Sequence, residues 1–197
     1  MVDNLLSYVK DTQGKPSVKE RALFAAAVVF GYGIWENYVE QLAIEIVGRV
    51  SADIAPARVP DLVKKHLEKR TAWELSVSPG WRLLWVATVR RQAVGEDETF
   101  GMNTAKAGQV MNLLAMAGAT DPFAGILDGI VPEHLGAGHT FVDAVNRLVE
   151  LRGEIVHTGK VPSSLRKKHV LAWRSFVEKA IDGVDEACRA QCKALLS

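Results

Sequence analysis

The sequence predicts an all-α fold, a single-domain bundle of about six or seven helices. Apolar segments of helical length follow one another, and no convincing alternation of apolar and polar residues indicates a strand. Apolar residues make up 48% of the 197-residue chain and charged residues 24%, which is typical of a globular protein. Such a chain buries a sizeable core without disulfides or metals. We therefore expect one domain over residues 1–197, with its core at about 18–190.

Local capping signals indicate where the predicted helices begin. Ser17 opens "SVKE", which has the form of a capping box, so the first long helix is expected to begin there. Asp61, Asn103 and Asp121 are further candidate caps, because their side-chain oxygens can accept backbone N–H groups of a first helical turn. Pro122, directly after Asp121, suits the first helical position.

Glycine and proline indicate where the predicted helices end. Gly95 and Gly118 follow apolar segments, and Gly159 suits the left-handed position after a helix end. Pro56 and Pro60 interrupt the chain after the first long helix. The first predicted helix spans about residues 17–48 and extends at most to 50. The others span about residues 61–77, 81–94, 103–118, 121–131, 140–158 and 164–195.

The cysteine and histidine pattern argues against a metal centre. Cys188 and Cys192 lie four residues apart, which places both thiols on one face of a helix. Two thiols do not make a tetrahedral metal site, so we expect both to be reduced, in a reducing compartment. His134 and His139 flank a glycine loop and lack a third ligand, and no phosphate-binding loop, zincin motif or nucleophile elbow occurs. The sequence predicts no metal and no cofactor.

The N-terminal region predicts neither a signal peptide nor a membrane span. "MVDNLLSYVKDTQGK" lacks a basic start followed by an apolar core. The apolar run at 22–35 is bracketed by Arg21 and Glu36. It is shorter than the roughly 20 residues that a membrane span needs. We therefore expect a soluble, cytoplasmic protein with no membrane partner.

One helical segment carries residues that a purely structural helix avoids. In "VNRLVELRGEIVHTGKVP", at 145–162, apolar residues recur at helical spacing, and Arg152 falls in the stripe with Leu148 and Ile155. An arginine at a buried position needs an acceptor or access to solvent, since it cannot shed its charge. A snorkelling or salt-bridged arginine and a functional arginine both meet that need.

Gly153 and His157 are two further unusual residues of the same helix. They share a face with Asn146 and Glu150, a polar strip that is ordinarily solvated surface. Glycine inside a helix costs about 1 kcal/mol relative to alanine, and close approach of a backbone or ligand is a frequent reason for it. His157 lies in the last turn, where the helix dipole favours the imidazolium form. The strip therefore faces a partner, such as a second copy of the helix, or His157 is a simple capping or surface residue.

The segment "RGEIVHTG", at 152–159, has the Arg-x4-His form of HEPN domains, and the chain resembles the RiboL-PSP-HEPN group within them. "GIWENYVEQLAIEIV", at 33–47, is similar to the first long helix of that family, in which a glutamate precedes an aromatic residue. The block at 103–126 resembles the middle Asn…Leu…Gly…Asp…Phe block, and the block at 159–173 resembles the segment that enters the last helix. The order and spacing of these blocks carry the resemblance over most of the chain.

The resemblance implies a helical bundle that dimerises and brings two Arg-x4-His segments together in a cleft across the dimer axis. Many members of the family are metal-independent endoribonucleases that act as toxins or in defence against phage. The resemblance thus implies a homodimer with an RNA substrate. An antitoxin or defence-system partner is a further expectation.

On this resemblance, Arg152 and His157 are the catalytic residues. His157 would take the proton of the ribose 2′-OH as general base, or would protonate the leaving oxygen as general acid. Arg152 would hold the phosphate and stabilise the charge that develops in the transition state. A dimer supplies two copies of His157, so one copy can act as general base and the other as general acid.

Five further residues are candidates for supporting roles or RNA contacts, namely Glu36, Asn146, Glu150, Gly153 and Lys160. Glu36, Asn146 and Glu150 are expected to orient the catalytic pair, and a structural role is the alternative for each. Lys160 and the basic patch "RKKH" at 166–169 can contact an RNA backbone, and a solvated first turn of the last helix is the alternative for the patch. The net charge of +1 leaves only local patches of this kind for contact with nucleic acid.

The function expected from the sequence is that of a metal-independent, HEPN-type endoribonuclease. The alternative is a non-catalytic HEPN-type module that binds RNA, a nucleotide or a partner protein through the same cleft. Gly153 favours this alternative, because the family usually has asparagine or another polar residue directly after the arginine. The intact pair of Arg152 and His157 favours the enzyme. A helical protein-interaction domain is the third alternative.

Overall fold

The computed structural model describes residues 2–9, 15–69, 71–95, 101–102, 104–126 and 128–197. Within these ranges the chain forms helices, turns and loops and no strand, which confirms the all-α prediction. Short 3-10 turns occur at Pro56–Arg58, Asp128–Ile130 and Glu133–Leu135. The α-helices of the described ranges are α1 (Val2–Ser7), α2 (Val18–Asp53), α3 (Asp61–His66), α4 (Ala72–Ser76), α5 (Trp81–Val94), α6 (Ala107–Ala117), α7 (Phe141–Thr158) and α8 (Lys167–Leu196).

Several predicted helix ends are confirmed by their capping interactions. At the start of α2, the Glu20 carboxylate accepts a 2.8 Å hydrogen bond from the Ser17 backbone N–H, and the Ser17 hydroxyl accepts one of 3.2 Å from the Glu20 N–H. This is the reciprocal pattern of a capping box. Helix α5 ends before Gly95 and α6 before Gly118. Helix α7 ends before Gly159, whose φ of 65° is left-handed.

The predicted helix at 61–77 is wrong, because two short helices occupy that segment. Helix α3 ends at His66, and Glu68 then takes a φ of 55°, which a right-handed helix cannot accommodate. Thr71 begins α4 through a capping box with Glu74. The predicted cap Asp61 is instead the first residue of α3, and its carboxylate accepts a 2.9 Å hydrogen bond from Lys64.

The predicted helix at 121–131 is also wrong. Residues 122–125 form a turn, and Gly125 ends it with a φ of 73°. The backbone N–H of Asp121 donates to the Gln191 side chain at 2.9 Å, and the Asp121 carbonyl accepts a bond from the same amide. The Asp121 backbone is thus fixed by a long-range contact. The predicted cap Asn103 lies outside the described residues.

Other boundaries also differ from the prediction, including the end of α2 at Asp53. Helix α6 begins at Ala107, and α8 begins at Lys167, a few residues after the predicted position of 164. Helix α1 has no counterpart among the predicted helices. An ion pair between Asp3 of α1 and Arg174 of α8 attaches α1 to the long C-terminal helix.

The chain divides into two compact units. The first consists of Met1–Glu36 and Leu127–Ile181, and the second of Asn37–Ile126 and Asp182–Ser197. In the first unit the predicted apolar stripe of α7 is buried, and the Phe141 ring lies 5.7 Å from the Phe176 ring of α8. In the second unit α3 and α5 pack against α6, and the Trp85 indole donates a 2.7 Å hydrogen bond to the Met116 carbonyl.

Helix α2 is the one helix of the described ranges that is long and apolar enough to cross a membrane, judged by length and composition. It has 36 residues and extends well beyond the apolar run at 22–35. The core helix of a soluble protein meets the same criterion, and α2 contributes buried residues such as Phe24, Tyr32 and Trp35.

Candidate functional site

Helix α7 holds the Arg-x4-His segment on a helix that is capped at both ends. The Thr140 backbone N–H and hydroxyl donate to the Asp143 carboxylate at 2.9 and 2.8 Å. These two hydrogen bonds lower the pKa of Asp143 below its usual value. At the other end, the Gly159 N–H donates to the Ile155 carbonyl at 3.0 Å. Arg152 and His157 are therefore placed by a regular helix, and not by a loop.

The Arg152 guanidinium lies over the face of the Tyr32 ring, with its carbon 5.2 Å from the ring centre. This is a cation–π distance. The Arg152 Nε is buried and has no hydrogen-bond partner among the described residues. Tyr32 itself is 2% exposed, and its hydroxyl donates a 2.6 Å hydrogen bond to the Glu36 carboxylate. The structure thus connects the predicted residues Arg152 and Glu36 through Tyr32.

Arg21 is a second cation near the segment, and the sequence analysis did not select it. One terminal nitrogen of its guanidinium donates a 2.6 Å hydrogen bond to the Val161 carbonyl, and its Nε is buried without a partner among the described residues. The two contacts, Arg21 with Val161 and Tyr32 with Arg152, show that α2 and α7 run antiparallel in the first unit. Arg21 is therefore placed beside the chain that leaves α7.

His157 is exposed in the last turn of α7, and its ring leans toward Gly153. A Cβ atom built on Gly153 would lie 3.9 Å from the His157 Cδ2, and no other described atom outside the local helix backbone would lie within 4 Å. Packing within the chain therefore does not require glycine at this position. Among the described residues, no hydrogen bond, ion pair or ring contact joins Arg152 to His157.

Lys160 is exposed directly after the helix end. Its backbone N–H donates a 3.0 Å hydrogen bond to the Thr158 hydroxyl, which itself donates to the Glu154 carbonyl at 2.6 Å. These bonds fix the backbone at Lys160 and leave its ammonium group at the surface. Lys160 is adjacent in sequence to Val161, the residue that Arg21 contacts.

Asn146 and Glu150 line a polar cleft of about 570 Å³ in the first unit. Its other walls include His134, in the 3-10 turn before α7, and His169 and Trp173 of α8. The residues predicted to support catalysis therefore lie in two places. Glu36 is linked to Arg152 through Tyr32, and Asn146 and Glu150 face the cleft.

In the described part of the chain, no group of three or more His, Cys, Asp or Glu side chains is arranged to hold a metal ion. The two cysteines are free. Burial, and secondarily the neighbouring Cys192, raises the pKa of the Cys188 thiol to about 12.

Tyr32 and Arg21 are the site residues that the sequence analysis missed. A signal for Tyr32 exists, because it lies four residues before Glu36 and so shares its helix face. Arg21 gives only a weak signal, as a charged residue at the start of an apolar helix.

Comparison with protein-family models, with curated proteins and with solved structures gave no match. The similarity to HEPN domains therefore depends on the sequence blocks alone.

Proposed function

We propose that this protein is a metal-independent endoribonuclease of HEPN type that acts as a homodimer, with Arg152 and His157 in a shared active site. One structural observation supports the proposal above the others. The Arg152 guanidinium is fixed over Tyr32, and its buried Nε lacks an acceptor in the described part of the chain. Leaving a buried donor unpaired costs about 1–3 kcal/mol, so an arginine held at this position without a partner is a candidate to bind an acceptor from outside the chain through its other N–H groups.

A phosphate group is an acceptor of the required kind. Arginine presents a planar fork of N–H donors that matches two phosphate oxygens at once, and it remains charged at every physiological pH. The Tyr32 ring holds the guanidinium in place, and the Glu36 carboxylate holds the ring through its hydroxyl. Arg152 is thereby oriented before substrate binds, which is what stabilisation of a transition state requires.

His157 supplies the proton transfer in this proposal. It is exposed at the C-terminal end of α7, and histidine is the residue type that most often serves as general acid or base. One His157 takes the proton from the 2′-OH, whose oxygen attacks the phosphorus, while the His157 of the second copy protonates the 5′ oxygen as the phosphorus–oxygen bond breaks. The products are a 2′,3′-cyclic phosphate and a 5′-hydroxyl.

The surface of α7 near the motif supports a dimer. Gly153 has space around it within the chain, and Val156, beside His157, is 48% exposed although it is apolar. A second α7 packed on this surface would cover Val156 and use the close approach that Gly153 permits. Arg21 and Lys160 would then add positive charge for the RNA backbone. We place the enzyme in the cytoplasm, as a toxin or phage-defence effector controlled by an antitoxin or defence-system partner.

Gly153 also favours a second candidate function. In the family, a polar side chain usually follows the motif arginine, and at this position it would lie beside His157. Without it, the same surface could bind RNA, a nucleotide or a partner protein and not cleave RNA.

The deciding experiment is an RNA cleavage assay in the presence of EDTA. Wild type, Arg152→Ala and His157→Ala are compared, and product ends are examined for 2′,3′-cyclic phosphate. His66→Ala is the matched control, because His66 is also an exposed histidine in the last turn of a helix, in the second unit. We expect cleavage by wild type and His66→Ala only. A folded, dimeric wild type that cleaves none of a varied RNA set would instead support the binding module.

A further inference from the structure

The polar cleft of the first unit, which we call the histidine cleft, has the dimensions of a ligand site. Its volume is about 570 Å³, and small-molecule sites commonly enclose about 300–1,000 Å³. One wall is the polar edge of α7, with Asn146 and Glu150, and the other is formed by His134, His169 and Trp173. His134, His169 and Trp173 have no role in the chemistry proposed for Arg152 and His157. Asn146 and Glu150 have only the orienting role expected of them.

The histidine wall is an aromatic stack. The rings of His134 and His169 lie 4.6 Å apart and are inclined by only 18°. The Trp173 ring meets His134 edge-on at 5.4 Å and an angle of 82°. Burial lowers the pKa of both histidines, and the nearby Lys168 lowers it further. The two rings are therefore neutral at physiological pH, while His134 remains exposed to the cleft.

The α7 wall offers hydrogen-bonding groups and little attraction for an anion. Glu150 is paired with Arg147 at 3.0 Å, and Asp143 adds a second carboxylate. The charged groups of the α7 wall are thus two carboxylates and one guanidinium, and the guanidinium is paired with a carboxylate. Asn146 adds an amide, which has both donors and an acceptor. Such a wall repels phosphate and suits a neutral, planar ligand with N–H groups and ring nitrogens.

The histidine cleft lies on the same face of α7 as His157. Asn146, Glu150, Gly153 and His157 follow one another at spacings of three or four residues. Glu150 and His157 are seven residues apart in a regular helix, which corresponds to about 10 Å along its axis. A ligand in the cleft therefore lies on the same helix face as His157, about two helical turns away.

We propose that the histidine cleft binds one unpaired nucleobase, which stacks on the His134–His169 pair and hydrogen-bonds to Asn146 and Glu150. Proteins recognise single-stranded RNA in this manner, by stacking bases on planar side chains and bonding to base edges. The identification of the base as part of RNA, next to the scissile phosphate, rests on the function proposed above. A nucleobase of a free nucleotide has the same chemistry, so the test must separate the two sources.

The test measures binding without cleavage. Full-length His157→Ala protein is titrated with the four nucleoside 5′-monophosphates and with ribose 5-phosphate, and the imidazole NMR signals of His134 and His169 are followed. We expect at least one mononucleotide to shift both signals and to bind about fivefold or more tightly than ribose 5-phosphate, as base stacking predicts. Equal binding of ribose 5-phosphate, or no binding of any mononucleotide to the folded protein, would overturn the proposal.

Variants in the cleft test the stacking itself. His134→Ala is expected to weaken mononucleotide binding by about fivefold or more, whereas His134→Phe keeps a flat ring and retains binding. His66→Ala, in the second unit, serves as the unaffected control. Binding that is the same in all three variants would contradict the proposal. If short oligoribonucleotides displace the bound mononucleotide, the base site belongs to an RNA-binding surface. If they do not displace it, the assignment of the base to RNA is overturned.

The test of the base site and the test of the proposed nuclease can give different results. If the wild type cleaves no RNA but binds a mononucleotide in a His134-dependent way, the nuclease is refuted and the base site is supported. If the wild type cleaves RNA while His134→Ala leaves KM and base preference unchanged, the nuclease is supported and the base site is refuted.

Discussion

The Arg152 guanidinium lies 5.2 Å from the centre of the Tyr32 ring, and the Tyr32 hydroxyl donates a 2.6 Å hydrogen bond to Glu36. Arg152 belongs to α7, whereas Tyr32 and Glu36 belong to α2. A cation over a ring face contributes about 0.5–2 kcal/mol and uses no N–H donor. The contact therefore positions the guanidinium without occupying any of its N–H donors.

Two substitutions at Tyr32 separate the ring from its hydroxyl. Tyr32→Phe keeps the ring and removes the bond to Glu36, so we expect a loss of about 1 kcal/mol in the free energy of unfolding and a smaller decrease in RNA cleavage than removal of the ring causes. Tyr32→Leu removes the ring face, and we expect cleavage to fall about tenfold or more because Arg152 loses its orientation. Single-turnover cleavage and thermal denaturation measure the two effects. Equal cleavage by the two variants would show that the ring does not position Arg152.

Substitution of Gly153 separates the stability of one chain from that of the proposed dimer. Among the described atoms outside the local helix backbone, the new methyl group of Gly153→Ala meets only the His157 ring, at van der Waals distance. We expect alanine to raise the unfolding free energy by about 1 kcal/mol, as for an unconstrained glycine inside a helix. We also expect it to weaken dimerisation and cleavage, because a second α7 loses its closest approach. Denaturation and sedimentation measure these quantities, and a dimer of unchanged affinity would refute close packing at Gly153.

The helices that the sequence predicted well are those with local signals at both ends. Helix α7 has a capping box at Thr140 and a left-handed glycine at its end, and these signals lie within a few residues of the helix they define. The failure at 121–131 has the opposite cause. The Asp121 backbone is bound by Gln191, seventy residues away, and no local pattern reports such a contact.

In the candidate site too, local sequence patterns indicate some features, and other features depend on contacts between residues far apart in the chain. Arg152 stands out in the sequence, because it interrupts an apolar stripe that is otherwise buried. Its contact with Tyr32 depends on the antiparallel packing of α2 on α7, and so does the bond from Arg21 to Val161. The sequence therefore indicates the unusual residue and its helix, while only the tertiary structure identifies its neighbours.

The stacked histidines predict a stability that depends on pH. In the folded chain, burial lowers the pKa of both histidines below the ordinary value near 6.5. The charges of His169 and Lys168 lower the pKa of His134 further, and those of Lys168 and Arg166 lower the pKa of His169 further. A Ser164 backbone hydrogen bond opposes this at His169. As pH falls below about 6.5, the unfolded chain binds these protons first, so the free energy of unfolding decreases until the folded histidines are protonated too.

Chemical denaturation at pH 7.5, 6.5, 6.0, 5.5 and 5.0 measures this effect. We expect a double variant, His134→Gln with His169→Gln, to lose most of the decrease, and the exposed-site control His66→Gln to keep it. Stability that rises on acidification from pH 6.5 would have the wrong sign for histidines whose pKa is lowered in the folded chain. Restricting the series to pH 5 and above keeps the Asp143 carboxylate ionised throughout, because its pKa lies below the usual value.

The two thiols of α8 are expected to react with alkylating reagents at different rates. The thiolate is the reactive form, and burial, followed by the neighbouring Cys192 and Asp185, raises the pKa of Cys188 to about 12. At pH 8 this leaves about one thiolate in ten thousand. The pKa of Cys192 is also raised by burial, but Arg49 opposes the shift and the side chain is partly exposed. Cys192→Ala retains only Cys188, and Cys188→Ala retains only Cys192. We expect iodoacetamide to modify the first variant much more slowly than the second. Denaturant should remove the difference, and fast modification of Cys188 in the folded protein would show that the second unit opens at α8.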